Sequence, residues 1–264
     1  KKYFDLYPLG KIQLAAAPPD DRADIPPAAF AHNNATPHYG LDESRLRTAL
    51  QAYYASVSFV DAQVGRLLDA LDRLDLARDT IVVLWSDHGY HLGEHLGVWQ
   101  KRTLFEESAR APLIIRDPTA RGNGSACARI VEFVDIFPTL TALCGLPTPA
   151  QLDGHNLQPQ LAQPTKPTAK PALAFWANGQ RTIRTDRWRY IRYADGAEEL
   201  YDHSNDQYEW TNLAALPEHA ATKQKLAVLE RILPQVLEKM QFTDQILMKM
   251  LKKRLDFSSQ RVNL

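Results

Sequence analysis

The chain has 264 residues, 45% of them hydrophobic and 23% charged, with 31 basic residues balanced by 31 acidic ones. That is an ordinary globular composition, long enough to bury a sizeable core. The zero balance argues against a nucleic-acid surface, no apolar run reaches the length of a membrane span, and two cysteines make no disulfide framework.

Residues 1–41 hold many prolines and few periodic apolar positions, which predicts an irregular surface-running segment. His32, Asn33, Asn34 and His38 are candidates to face a ligand from it; a polar connecting loop is the plainer reading. Asp42 is placed to cap a helix. Leu46, Leu50, Tyr53, Val57, Val60, Val64, Leu67, Leu71 and Leu74 then recur at three- and four-residue steps, one apolar stripe for packing on a sheet. Asp79-Thr80 turns the chain into Ile81–Trp85, a short apolar run of the kind found in core strands of parallel sheets. Helix followed by strand is half of a βαβ unit.

In open α/β sheets ligands bind just beyond the carboxyl ends of the strands, and this run stops at Ser86-Asp87-His88-Gly89. The Asp87 carboxylate is a hard oxygen donor suited to Ca²⁺ or Mg²⁺; a strand-end or helix-capping aspartate is the alternative. The His88 imidazole suits Zn²⁺ or Mn²⁺ better than Ca²⁺; the alternative is a hydrogen bond to a bound anion or to a metal ligand. Gly89 lets the backbone turn. His91, Glu94 and His95 form a further His/Glu group, but Gly93 opposes a stable helix and the HExxH order is absent. Glu94 and His95 are therefore read as loop-shaping or substrate-facing, and Trp99 as packing.

Further on, Pro112–Arg116 and Ile130–Phe133 read as strands. Asp135–Leu143 reads as a helix with Pro138 in its first turn and Gly145 closing it. The Pro/Gln/Thr-rich stretch 151–170 marks a boundary, giving parts at 1–165 and 166–264. Within 173–201 the strand-like runs are separated by Asn178-Gly179 and Asp195-Gly196, hairpin turns of a small antiparallel sheet. Arg181, Arg184, Arg187, Arg189 and Arg192 decorate it, as a solvated face or as contacts to a carboxylate or sulfate. A helix follows over 217–233. Residues 235–255 have helical spacing and a basic end, for packing on the chain itself, on a neighbouring subunit in a homo-oligomer, or on a membrane surface. The predicted fold class is α/β: a mostly parallel sheet flanked by helices, with a smaller C-terminal antiparallel sheet plus helix.

Ser86-Asp87-His88-Gly89, Leu92-Gly93-Glu94-His95, Trp99 and Lys101 resemble the second metal-binding motif of the sulfatases, members of the alkaline phosphatase superfamily. Tyr54-Ala55-Ser56-Val57-Ser58, Val64-Gly65-Arg66, Ala111-Pro112-Leu113-Ile114, Val134–Leu140, Cys144–Pro147 and Glu199–Asp202 follow in the family's order. The nearest resemblance is to the iduronate-2-sulfatase-like group, over residues 1–235. It implies a sulfuric ester hydrolase acting on a sulfated sugar or similar ester. Asp87 and His88 would ligate a divalent metal (Ca²⁺ first, Mn²⁺ or Mg²⁺ otherwise), Lys101 would be the active-site lysine at sulfate, and His95 would be a substrate contact. A phosphonate monoester or phosphodiester hydrolase of the same superfamily, or a non-catalytic fragment, are the rival readings. The family's nucleophile is a cysteine in Cys-x-Pro-x-Arg, converted to formylglycine. Neither Cys127 nor Cys144 stands in that setting. The chain thus reads as a C-terminal portion that needs the N-terminal portion of the same enzyme, with a periplasmic or secreted location implied by family habit.

Overall fold

The computed structural model describes residues 1–231 apart from Ala169, Ala177 and Asn178. The chain divides into two compact units, Lys1–Pro217 and Glu218–Leu264. The expected helix over 235–255, with the oligomer and membrane contacts read from it, lies outside the described residues, as does Asn178 of the first expected hairpin turn. No helix among the described residues is long and apolar enough to cross a membrane.

In the first unit residues 1–41 form only short 3₁₀ turns, as their prolines predict, yet they bury Ile12, Asp21, Ile25 and Ala29. Helix α1 (Glu43–Arg73) begins where expected: the Asp42 carboxylate accepts from the Arg45 amide at 2.9 Å. Its apolar stripe is covered only at the N-terminal end. Leu46 and Leu50 are buried, whereas Val57, Val60, Leu67 and Leu74 are exposed.

Strand β1 (Val82–Trp85) lies against β4 (Leu113–Arg116) with Val82 opposite Arg116 and Trp85 opposite Leu113, antiparallel. The half-βαβ reading predicts a parallel neighbour here. Between β1 and β4 the only helices, α2 (Glu94–Gly97) and α3 (Glu106–Ala109), are single turns of four residues, so no crossover helix returns the chain to a parallel neighbour. A parallel return needs a long crossover, commonly a full helix. Between the strands, β2 (His91–Leu92) pairs with β3 (Trp99–Gln100) and the two enclose α2.

The expected strand at Ile130–Phe133 does not form. Glu132 and Asp135 cap each other's backbone around a 3₁₀ turn, Phe133–Asp135, that leads into α4 (Ile136–Leu143). Gly145 closes α4 at φ 65°, with the Leu146 amide donating to the Thr141 carbonyl at 2.8 Å, the left-handed ending that glycine favours. After α5 (Gln158–Ala162) come β5 (Ala172–Trp176), β6 (Gln180–Arg184), β7 (Trp188–Arg192) and β8 (Glu198–Asp202), a four-stranded antiparallel meander in that order. The Asp195-Gly196 turn joins β7 to β8 as expected, with the Tyr193 amide donating to the Ala197 carbonyl at 2.9 Å. The second unit contributes α6 (Ala220–Arg231).

Candidate functional site

The segment from Ser86 to Phe105 is wedged between two hydrophobic clusters. Trp99 packs with Ile12, Leu46 and Leu50; Leu104 and Phe105 pack with Ile25, Ile191, Tyr193 and Tyr201. The C-terminal part of the loop is therefore tied to cores built from distant parts of the chain. Trp99 has the packing role expected of it.

At the carboxyl end of β1 the Ser86 hydroxyl donates to the His88 carbonyl at 2.9 Å and tightens the turn. Asp87 is largely exposed. The His88 ring lies beside it, with Nε2 at 3.2 Å from Asp87 Oδ2. His88 Nδ1 is 2.7 Å from the Gly89 carbonyl; a carbonyl can only accept, so Nδ1 carries the proton and Nε2 keeps its lone pair. The Lys101 ammonium, on an exposed side chain, donates to that same Nε2. The structure thus brings Asp87, His88 and Lys101 together, 14 positions apart at the extremes in sequence.

These residues fit a divalent cation on a structural criterion. A metal-ligating histidine characteristically gives its other ring N–H to a carbonyl or carboxylate, which fixes the tautomer. His88 has that arrangement, and its Nε2, which accepts from Lys101, lies beside a carboxylate oxygen.

The structure does not bring His95 to that surface. Its side chain is 0% exposed, its Nδ1 is 3.2 Å from Asp21 Oδ2 and its Nε2 is 3.8 Å from Glu107 Oε2. The ring stacks on Phe105 at 4.2 Å. Burial disfavours the imidazolium, but the hydrogen bond with Asp21 and the nearby Glu107 carboxylate outweigh it and raise the group to about 10. Of the two readings open to His95, the geometry matches loop-shaping. His91 is also fully buried and bonds Thr103 through Nε2 at 2.7 Å. Glu94 accepts from the Leu92 amide at 2.5 Å and is lowered: burial alone would raise it, but the nearby His91 and backbone amides win.

Asn34 and His38 act on this loop instead of facing outward. Asn34 Nδ2 donates to the Gly97 carbonyl at 2.9 Å, and its Oδ1 accepts from the Trp99 amide at 3.0 Å. His38 Nδ1 accepts from the Trp99 indole at 3.2 Å. Gly97, at φ 103°, leaves room for that ring, since a Cβ there would meet His38 Cδ2 at 2.8 Å.

The sheet arginines include a group that sequence reasoning misses. Arg189 is buried and pairs with Glu209 and Glu106, while Arg184 Nε reaches Glu106 at 3.2 Å and Arg187 holds Asp202 at 2.7 Å. Glu209, fully buried, is held at about 2: desolvation pushes it up, but Arg189 and His203 pull it further down. Glu106, His203 and Glu209 offer ligand atoms within 4.8 Å of one another. They do not fit a metal, because the Arg189 guanidinium already lies against both carboxylates and would repel a dication. The signal for this network was absent from local sequence, since its acids are 83 and 20 positions away from Arg189.

Residues 93–235 match the family model "N-sulphoglucosamine sulphohydrolase, C-terminal", and residues 17–146 match the model "Sulfatase". A "Sulfatase" of Formosa agariphila is 37% identical over 238 residues, covering 89% of this chain and 46% of the relative. The iduronate 2-sulfatase of Mus musculus is 35% identical over 211 residues, covering 61% of this chain and 38% of the relative. A structure solved in complex with its substrate D-glucosamine-2-N,6-O-disulfate superposes with TM-score 0.68 at 30% identity, covering 74% of this chain and 43% of that one. The fold is thus the α/β architecture of the alkaline phosphatase-like sulfatases. The chain belongs to the sulfatase family. It spans less than half the length of the relatives it matches.

Proposed function

We propose that this chain is part of a sulfuric ester hydrolase that removes sulfate from a sulfated saccharide, with Asp87, His88 and Lys101 as its contribution to the site. The observation that carries the reading is the convergence of a carboxylate, an imidazole lone pair and an ammonium group at the end of β1. The saccharide substrate is supported by the disulfated glucosamine bound to one structural relative and by the likeness to an iduronate 2-sulfatase.

Asp87 and His88 Nε2 would hold a divalent cation, Ca²⁺ in preference to Mg²⁺ or Mn²⁺. When bound, the ion supplies positive charge for the sulfuryl oxygens. An imidazole nitrogen has one lone pair, so a cation on Nε2 releases Lys101. The freed ammonium is then available to neutralise charge on sulfate or on the leaving oxygen. The Gly89 carbonyl keeps the His88 tautomer that this needs. His95, shut away from solvent, is left out of the substrate contacts. The attacking group is not among these 264 residues, since neither cysteine has the Cys-x-Pro-x-Arg setting; the resemblance assigns it to a formylglycine. A periplasmic or secreted location belongs to the same proposal and rests on the resemblance alone.

The test is turnover of a sulfated disaccharide and of a phosphonate monoester by the full-length protein, alongside Asp87→Asn and Lys101→Ala. Each variant is expected to lower sulfate release by about 100-fold or more, the size seen when one charge-stabilising donor is lost. Unchanged rates in both variants reject the site. Preference for the phosphonate monoester rejects the sulfate-ester reading in favour of the other hydrolases of the superfamily.

A further inference from the structure

Residues around the Asp87–His88 turn are held by contacts that meet in one short helix. Gly89 lies flat against α3: its amide donates to the Ser108 carbonyl at 2.9 Å, and a Cβ at this position would stand 2.0 Å from the Glu107 carbonyl oxygen and 2.3 Å from that of Arg110. The backbone of α3 is therefore the floor on which the turn rests. A four-residue helix does not hold its own position; its side chains and neighbours must.

Those anchors are identifiable. Phe105, at the N-terminal cap of α3, is fully buried under the His95 ring. The adjacent acids Glu106 and Glu107 are tied in different directions. Glu106 goes to Arg184 and Arg189 of the antiparallel sheet, and Glu107 goes to His95. Glu107 is thus the residue whose side chain meets His95 and whose carbonyl meets Gly89. His95 in turn is fixed on three further sides. Its Nδ1 faces Asp21, its carbonyl accepts from Arg22 Nε at 2.7 Å, and its backbone is held left-handed at φ 47° between Gly93 and Gly97. A non-glycine residue persists in that conformation only where the surroundings over-determine it. Leu96 beside it is also left-handed, at φ 54°.

We infer that His95 is a positioning residue of the metal site: clamped between Asp21 and Glu107, it sets α3 and, through α3, the Gly89 backbone that aims Asp87 and His88. This rests on the reading of Asp87 and His88 as metal ligands. It assigns the buried charges a task that neither a substrate contact nor simple core filling would give them. The ring bonds Asp21 through Nδ1 and faces Glu107 at 3.8 Å through Nε2, so it stands between two carboxylates that would otherwise repel each other.

The test is calorimetric titration of the full-length, metal-free protein with Ca²⁺ alone, together with its melting temperature before metal is added. Glu107→Gln keeps size and shape, and His95→Gln removes the clamp itself. Both are expected to weaken Ca²⁺ by about 10- to 100-fold, the range for residues that orient metal ligands from behind. A purely structural role would lower the melting temperature and leave the affinity of the folded protein unchanged. Where His95→Gln does not fold, Glu107→Gln gives the answer by itself. Asp87→Asn is titrated in parallel. If it loses Ca²⁺ while Glu107→Gln and any folded His95→Gln bind like the parent, the clamp alone is overturned. If Asp87→Asn binds like the parent, the metal reading of the turn fails and the clamp falls with it.

Discussion

The antiparallel sheet and the β1 turn use charge in opposite ways. In and beside the sheet, Arg189 and Glu209 are buried as an ion pair and Glu199 is buried against the hydroxyls of Tyr193 and Tyr201. At the turn, Asp87 and Lys101 are exposed, and the turn is supported by backbone contacts to α3. Perturbed titration is commonly used to find functional sites. Here the groups with the largest perturbations sit in the sheet network and around His95, while the residues assigned to chemistry lie apart from them. Structural ion pairs shift pKa as strongly as catalysis does, so a large shift does not by itself mark a functional site.

The contrast can be broken from either side. Arg189→Met should be the most damaging change to stability. It leaves Glu106 and Glu209 without their cation, a loss of about 3–5 kcal/mol of the kind seen when one partner of a buried pair is removed. Chemical denaturation measures it, and Asp87→Asn, an exposed change, should stay within about 0.5 kcal/mol of the parent.

Glu199 gives the sheet a pH signature. Burial raises it from 4.5 to about 7 despite the hydroxyls of Tyr193 and Tyr201 that donate to it. A carboxyl whose folded pKa is raised favours the folded state fully below the unfolded value, and that contribution is lost as pH rises through the folded value. Stability should therefore fall between pH 4.5 and about 7 by up to about 3 kcal/mol. Glu199→Gln should flatten that part of the profile in thermal melts; an unchanged slope would remove Glu199 as its source.

On the other side, Gly89→Ala pushes a methyl into the Glu107 and Arg110 carbonyls. An ångström of displacement at a reactive group costs about 100-fold in rate, and that loss in sulfate release is expected of the full-length protein. A near-normal rate would mean that the floor under the turn yields. The smallest effect is at Asp42, where replacement by alanine should remove about 1 kcal/mol through the lost helix cap, read in the same denaturation experiment as Arg189→Met.

Much of the architecture was legible because its causes are local. The Asp42 cap, the 81–85 and 113–116 runs, the Asp195-Gly196 turn and the Gly145 helix end each follow from residues within a few positions of one another. So did the Asp87-His88-Gly89 turn at a strand end. The Ile130–Phe133 expectation failed because a reciprocal Glu132–Asp135 cap competes with extension, and apolar content alone does not register such a cap.

What the sequence by itself determined was the helix, the strands, the hairpin turn at Asp195-Gly196 and the family. What only the tertiary structure decided was the sense of pairing of β1 with β4 and the burial of Arg189 and His95. The reason is the same in each case. Pairing sense depends on the path the connection takes, and the value of a charge depends on which opposite charge meets it. His95 and Asp21 are 74 positions apart, and Arg189 and Glu106 are 83 apart. No local pattern encodes either meeting, and both arise only when the fold closes around Phe105.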